Sequence, residues 1–587
     1  MKRGILYWTI VLAAFCFVLA GCSQDATPGS DSGGSTDVNA NAGYESALFD
    51  ASYVHRIDVQ ISEEDWADLL ANPTEKTKYH VDMAIDGEEV EDASFSTKGN
   101  SSLYFVAAEG DSSRYSFRVN FGKYVEGQTY RGLDVLSLNN CFSDPAYMKD
   151  YLSYEVFRQV GVPAPLMSYA WVTINGEDQG LYAAVEDEKE SFLTRTYNGE
   201  GVIYKPESKD VDLSLDQIAD IQENGLSMEE ESRGSDLVYR DDNPESYPDI
   251  FENAETKAGE QDAQDVIAAL KGLSEGTNLD SCLDTDEVIR FFAAHNFLLN
   301  YDSYTGTLAH NVVLYENKGK LSYLPWDYNL AFGGFVPIVG EGVLSDATDI
   351  LNRGIDSPLI GVADDDRPMW AWIARDDAYL QEYHEILDAL VAGYFESGAA
   401  DQRIRETSEM LLPYVEKDPT AFCSVDEFRT GCEALRRFCE LRAESVRKQL
   451  DGELSPVAEG QESRDKVDAS DFNIVDLGVA ISKAALDARA RAMSFSDTFQ
   501  SQKASQLRRD TRVLFYVKDR NQYLVTNEPV EPLELTRVSA VDKRGKLYME
   551  GYLLGSIFAH DPYIIPELEE MNCTFEELNP AYFNRDT

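Results

Sequence analysis

NYDSYTGTLAHNVVLYENKGKLSYLPWDYNLAFGG, from Asn300 to Gly334, is the stretch on which the fold turns. Two extended runs, Val312 to Glu316 and Leu321 to Trp326, flank Asn317-Lys318-Gly319-Lys320, the pattern of a β-hairpin with a tight glycine turn. Folding about Lys318 and Gly319 places Asn311 opposite Trp326 or Asp327, so the Asn311 and Asp327 side chains can share one cation. Taken alone, the same polar ends also serve as plain strand caps. Oxygen donors from Asp and Asn suit magnesium or manganese, which grip nucleotide phosphates through few protein groups. Asp302 lies just upstream, between a helix end and the first strand, where a carboxylate can accept the proton of an attacking hydroxyl.

Working outward toward the N-terminus, a helix capped by Asp284 or Thr285 carries an apolar stripe of Val288, Phe291, Phe292, His295 and Leu299 and leads directly into Asp302. His295 on that stripe reads as a hydrogen-bonded core histidine. The region before it is rich in strands. Val54 to Ile61 is one, followed by Ser62 with Asp65 as a helix start. Tyr79 to Ile85 ends at Asp86-Gly87, a hairpin signal, and Ser116 to Phe121 is a further strand. Tyr147 to Val160 has helical period and is stopped by Gly161 to Pro165. Ser168 to Asp187 forms a hairpin about Asn175-Gly176, and Glu190 to Tyr197 a short helix. Lys98-Gly99-Asn100-Ser101-Ser102 is a polar turn whose amides and hydroxyls can hold phosphate oxygens, or an ordinary loop. Gly201 to Glu207 is a strand ending in Lys205-Pro206. The proline restricts its predecessor to an extended conformation, so the Lys205 ammonium can be aimed, the alternative being a plain surface lysine.

Toward the C-terminus the pattern is helical: Tyr379 to Phe395, Gln402 to Val415, and a capping box of Ser424 and Glu427 that opens a long helix to Gly452. Cys432 and Cys439 fall on the apolar face of that helix. Residues 217 to 261 read as an acidic insertion and 455 to 469 as a linker. Beyond it come a helix from Ala480 to Met493 and a hairpin from Arg512 to Thr526. Strands first and helices second make an α+β protein.

Composition narrows the function classes. In 587 residues, 105 acidic against 51 basic side chains give a formal net charge of −54, which repels nucleic acid and favours cations or basic peptides. With six His and no closely spaced Cys pair, a zinc site is not expected. The N-terminus is an address: Lys2 and Arg3, an apolar run from Ile5 to Leu19, then Leu19-Ala20-Gly21-Cys22. That ending resembles a bacterial lipobox, which implies lipidation of Cys22 and anchorage to the outer face of the cell membrane. Ser23 to Gly43 has the composition of a flexible tether.

The chain resembles the spore-coat protein H (CotH-type) kinases, atypical protein kinases, over roughly Val54 to Gly452. The residues that carry the resemblance are Lys98-Gly99-Asn100-Ser101-Ser102, Gly180-Leu181-Tyr182, Tyr204-Lys205-Pro206, Asp302 with His310-Asn311, and Pro325-Trp326-Asp327-Tyr328-Asn329. The resemblance implies a bilobal kinase-like fold, with a β-rich lobe over 46–215 and a helical lobe over 216–452; outside it, 1–21 reads as the signal peptide, 22–45 as the tether, and 453–587 as a linker with an additional α+β segment of no assigned role. It implies Lys205 as the nucleotide lysine, Asp302 as the catalytic aspartate, and Asp327 and Asn311 as metal ligands for Mg²⁺ or Mn²⁺. Lys98, Asn100 and Ser101 would stand near the phosphates of ATP. Glu186 is one candidate for the carboxylate paired with Lys205, its other reading being a cap on the following helix. The implied reaction is transfer of the γ-phosphoryl group of ATP to a protein hydroxyl. A surface binding protein without turnover and transfer to a cell-wall glycan are the alternatives.

Overall fold

The computed structural model describes residues 43–100, 102–103, 106–107, 112–207, 233–276, 278–307, 309–335 and 347–478, and strand backbones between 499 and 577. Cys22, Ser101 and the helix expected over 480–493 lie outside the described residues.

The N-terminal strands are β1 (Val54–Ile61), β2 (Tyr79–Ile85), β3 (Glu88–Lys98), β4 (Ser116–Asn120), β5 (Val135–Asn139), β6 (Met167–Ile174) and β7 (Glu177–Glu186). They form a closed barrel in the order β1-β2-β3-β4-β5-β7-β6, sealed by a parallel pairing of β1 with β6. Strand alternation explains its two faces. Ala170, Val172 and Ile174 of β6 and Tyr182 and Ala184 of β7 fill the interior with Phe95, Phe117 and Leu136. The intervening Tyr169, Trp171, Leu181, Ala183 and Val185 face outward and join the core of the helical region. The turns are those the sequence signals: Asp86-Gly87, Asn175-Gly176 and Lys318-Gly319 all have positive φ at both positions, as a two-residue hairpin turn matched to strand twist requires.

Among the described residues the α-helices of eight residues or more are α1 (Glu63–Ala71), α2 (Lys149–Gln159), α3 (Glu190–Tyr197), α4 (Glu260–Glu275), α5 (Thr285–Leu298), α6 (Pro368–Arg375), α7 (Asp377–Leu390), α8 (Ala399–Val415) and α9 (Val425–Leu450). Their starts follow the local signals: the Ser62 side chain accepts from the Asp65 amide, that of Asp284 from the Glu287 amide, and Ser424 and Glu427 close a reciprocal box. A second sheet of β8 (Val202–Tyr204), β9 (Val312–Asn317) and β10 (Lys320–Pro325) is ordered β10-β9-β8.

The α+β class holds. Barrel closure is not written in the sequence, because the β1–β6 pairing joins segments 115 residues apart in the chain, Val54 facing Tyr169. Two expectations need correction. Lys205, placed in the β-rich half, leaves a strand that pairs with the central hairpin and not with the barrel. The stretch after Gly452 is no free linker: Leu454, Val467, Ala469 and Leu477 are buried, and Asn352 binds the Val467 amide and carbonyl. Cys432 and Cys439 are core residues, as expected, and Cys141, Cys282, Cys423, Cys432 and Cys439 are free thiols. In the C-terminal region the described backbone forms a six-stranded sheet, including the antiparallel pairing expected across 512 to 526.

Candidate active site

The hairpin and its neighbour strand bring three chemically useful groups to one end of one sheet. Val312 pairs with Pro325, so Asn311 and Trp326 continue from the same end, with Asp327 next. Strand β8 runs antiparallel to β9, with Tyr204 opposite Leu314, so Lys205 also leaves the sheet there. Asn311 and Asp327 both adopt left-handed backbone, φ 51° and 55°. Non-glycine residues enter that region at a cost, Asn and Asp least so. Strain of this kind concentrates where a side chain must be aimed.

The barrel supplies the facing cation. Lys98 ends β3, its ammonium donates to Asn139 Oδ1 at 2.6 Å, and it stands 5.5 Å from the centre of the Trp326 ring; Lys205 stands 3.7 Å from that same ring. Two ammonium groups from different sheets thus meet on one indole, a cation–π arrangement. Burial lowers both from the ordinary lysine value, that of Lys98 to about 8, with the Asp327 carboxylate opposing the shift at each. Asp327 itself is pushed up, first by burial, against the pull of Lys98 and Lys205, and Asp302 adds to the rise. Lys98, Lys205, Asp302 and His310, all nominated by the sequence, are therefore among the electrostatic neighbours of Asp327.

The carboxylate beside Lys205 is not Glu186. Glu186 is turned to the other side, where Arg195 binds it at 2.6 Å, the Tyr44 hydroxyl donates to it at 2.6 Å and the Leu166 amide at 3.0 Å. The next two residues face the cluster. Asp187 is bonded by Arg118 at 2.9 Å and by Ser137; burial would raise it, but Arg118, Lys98 and Lys205 hold it below the usual carboxylate range. Glu188 is buried with neither carboxylate oxygen hydrogen-bonded, and burial pushes it well up against the pull of Lys205. Asn100 is exposed and accepts from Lys76 at 2.8 Å, with no contact to the cluster among the described residues.

Asp302 is held from two sides. His310 Nε2 lies 2.6 Å from Oδ1, and the Asn311 amide donates to Oδ2 at 3.1 Å and to the Asp302 carbonyl at 2.9 Å. Burial works against a charge on His310, but the Asp302 carboxylate outweighs it and raises the imidazole above its ordinary value. Below this, His295 joins the segments that follow Asp302 and Asp327, with Nδ1 2.7 Å from the Tyr328 hydroxyl and Nε2 2.8 Å from Thr305 Oγ1.

His295 gives a pH prediction. Burial lowers it to about 3, so the fold holds it neutral. An unfolded histidine protonates near 6.5, so stability falls as pH drops below that value, by about 2 kcal/mol at pH 5. Urea unfolding at pH 7.5 and 5 should show this loss in the wild type and a shallower pH dependence in His295→Gln.

A family model described as CotH kinase protein matches residues 95–446. The chain belongs to this CotH kinase family. Among curated relatives, the inner spore coat protein H of Bacillus subtilis (strain 168) is 22% identical over 346 residues, 58% of this chain and 84% of that protein. The inner spore coat protein H-like protein of the same organism is 30% identical over 95 residues, 16% of this chain and 29% of that protein. The CotH match begins within β3 and ends within α9, so it takes in Lys98, Lys205, Asp302, Asn311 and Asp327 and leaves out β1, β2 and everything after α9.

A hard divalent cation fits the donors present. No described residue hydrogen-bonds the Asp327 carboxylate, and Asn311 spends its Nδ2 on Asp302, which leaves Oδ1 open. Among the described residues no three His, Cys, Asp or Glu side chains close on one point. Asp327 and Asn311 are thus the oxygen donors that could hold such a cation, in the small number that magnesium takes from protein.

The helix expected over Tyr147 to Val160 is present as α2, but sequence reasoning misses its part in the site. Its Asp150 accepts from the Tyr328 amide at 2.7 Å and its Tyr154 hydroxyl from the Asp327 amide at 3.3 Å. One helical face, at i and i+4, thereby clamps the backbone that carries Asp327. Burial and then the Asp327 carboxylate push Asp150 up to about 7. The available signal is an acid, Asp150, on a helix whose buried residues include Tyr151, Tyr154 and Phe157.

Proposed function

We propose that this chain transfers the γ-phosphoryl group of ATP to a protein Ser or Thr hydroxyl, on a kinase-like architecture in which the barrel and the helical region act as two lobes. The observation that carries this reading is the convergence of Lys98 from the barrel with Lys205 and Asp327 about the Trp326 ring, next to an Asp302 fixed by His310. Phosphoryl transfer asks chiefly for positioning and charge stabilisation. Lys98 and Lys205 bind and orient the phosphates. Asp187, held by Arg118, keeps these lysines facing the cleft, and Glu188 sits behind Lys205. Asp302 takes the acceptor proton, its carboxylate oriented by His310 on Oδ1 and by Asn311 on Oδ2. Asp327 and Asn311 hold Mg²⁺ or Mn²⁺, which when bound neutralises charge on the phosphates.

Lipidation of Cys22 and display on the outer face of the membrane complete the proposal, with a protein substrate and no nucleic acid as partner. The Leu-Ala-Gly-Cys sequence supports the anchor. Incubating the protein with γ-labelled ATP and Mg²⁺ or Mn²⁺ tests the reaction: labelling of the protein or a substrate is expected, and its loss in Asp302→Ala. Labelling that persists in that variant, or a wild type without metal-dependent nucleotide binding, overturns the reading. Nucleotide binding without transfer to protein or glycan points to the binding-protein alternative.

A further inference from the structure

The residues that follow the CotH match return to the site. After α9 the chain runs through buried Leu454, Val467 and Ala469 to a short 3₁₀ turn, Ile474–Leu477, and Gly478. This turn lies against the exit of the Asp327 loop. A Cβ on Gly333 would meet Ile474 Cδ1 at 3.0 Å, and one on Gly334 would meet the Gly478 carbonyl oxygen at 3.2 Å. Gly478 is itself pressed into a socket. With φ at +71°, a Cβ there would stand 2.2 Å from the Ser143 carbonyl oxygen and 2.5 Å from Pro145 Cδ.

The socket has a latch. Lys149, the first residue of α2, is wholly buried, and its ammonium donates to the Ser143 carbonyl at 2.7 Å and the Gly478 carbonyl at 3.1 Å. A buried ammonium is costly unless its donors are satisfied, so the Gly478 carbonyl has a defined task. The next residue along, Asp150, is the one that grips the Tyr328 amide. The strap therefore touches both sides of the metal-ligand loop: through Gly478 and Lys149 it braces the helix that holds the loop's start, and through Ile474 it packs on the loop's end.

We infer that residues 473–478 are an intramolecular strap that fixes the Asp327-to-Gly334 loop in its metal-binding conformation, with Lys149 as its positioning residue. The kinase-family match stops at 446, so the strap lies outside the matched residues. Its consequence for binding rests on the kinase reading, whereas its effect on the loop does not.

Hydrogen exchange on the full chain separates the two. Lys149→Met and Gly478→Val should speed amide exchange across 326–334 by about tenfold or more, while the barrel strands over 167–186 exchange as in the wild type. Lys149→Arg, which can still donate to both carbonyls, should restore most of the protection. The same two variants should weaken Mg²⁺-ADP binding by about tenfold, with metal-free ADP binding changed far less. Unchanged exchange over 326–334, exchange that rises equally in the barrel, or faster loop exchange with unaltered Mg²⁺-ADP affinity overturns the strap. A wild type that binds no Mg²⁺-nucleotide overturns the kinase reading instead, and the exchange data then decide the strap alone.

Discussion

Asp327→Asn should lower phosphoryl transfer by about 10³-fold or more while leaving the apo protein at least as stable as the wild type at pH 8. The rate effect follows from removing the carboxylate proposed to hold a cation at the phosphates, where preorganised charge acts with little screening. The stability effect has the opposite sign for a stated reason. The folded state raises the Asp327 carboxyl above its ordinary value, through burial and the nearby Asp302 and despite Lys98 and Lys205. An acid raised on folding binds its proton more tightly in the native state. The fold therefore bears a penalty above the folded value, which shrinks as pH falls toward the unfolded value of about 4. Asn carries no charge and avoids that penalty. Chemical unfolding without metal at pH 8 and pH 5, beside single-turnover transfer with Mg²⁺, tests both halves. A variant much less stable than the wild type at pH 8 assigns Asp327 a structural role and removes the rate argument.

Local chemistry was legible in the sequence wherever a short segment determines its own conformation. The glycine turns, the Ser424–Glu427 box and the Asn311-to-Asp327 hairpin depend on neighbours a few residues apart, and all appear as the residues dictate. What was not legible depends on pairings between distant segments. Glu186, Asp187 and Glu188 are three consecutive acids, and nothing in their order says which faces Lys205. The Arg195 and Arg118 side chains, brought in from elsewhere, decide that Glu186 turns away and Asp187 turns in. Likewise Lys205 belongs to the hairpin's sheet because Val202 to Tyr204 finds β9, a pairing across a hundred residues. The polar composition of 455 to 469 suggests a linker, because its anchoring hydrogen bonds come from Asn352 and cannot be read locally.

Gly180-Leu181-Tyr182, noted in the sequence without a physical reason, acquires one from Arg114, and with it a second large expected effect. Arg114 is fully buried, and its guanidinium lies 4.8 Å from the centre of the Tyr182 ring. It donates to the Asn140, Gln179 and Leu181 carbonyls, to Thr420 at 2.8 Å, and to both oxygens of Asp418 at 3.0 and 2.9 Å. Asp418 follows α8, so this one side chain joins the barrel to the helical region, and Asp418 also accepts from the Leu181 amide at 2.8 Å. Gly180 has no side chain because a Cβ there would stand 2.0 Å from Asp418 Oδ1, and its φ of +105° suits only glycine. Removing one partner of a buried, hydrogen-bonded pair strands the other charge, so Arg114→Met should cost about 3–5 kcal/mol. Asp418→Asn should cost less, since the amide oxygen can still accept, and Arg114→Met combined with Asp418→Leu should recover part of the loss by removing both charges. The damage should also reach the site. The Asn140 amide donates to the Arg114 carbonyl at 2.7 Å, and its neighbour Asn139 receives the Lys98 ammonium. Arg114→Met should therefore raise the KM for ATP more than it lowers kcat when assayed well below its unfolding temperature. A variant with unaltered KM confines Arg114 to holding the two regions together.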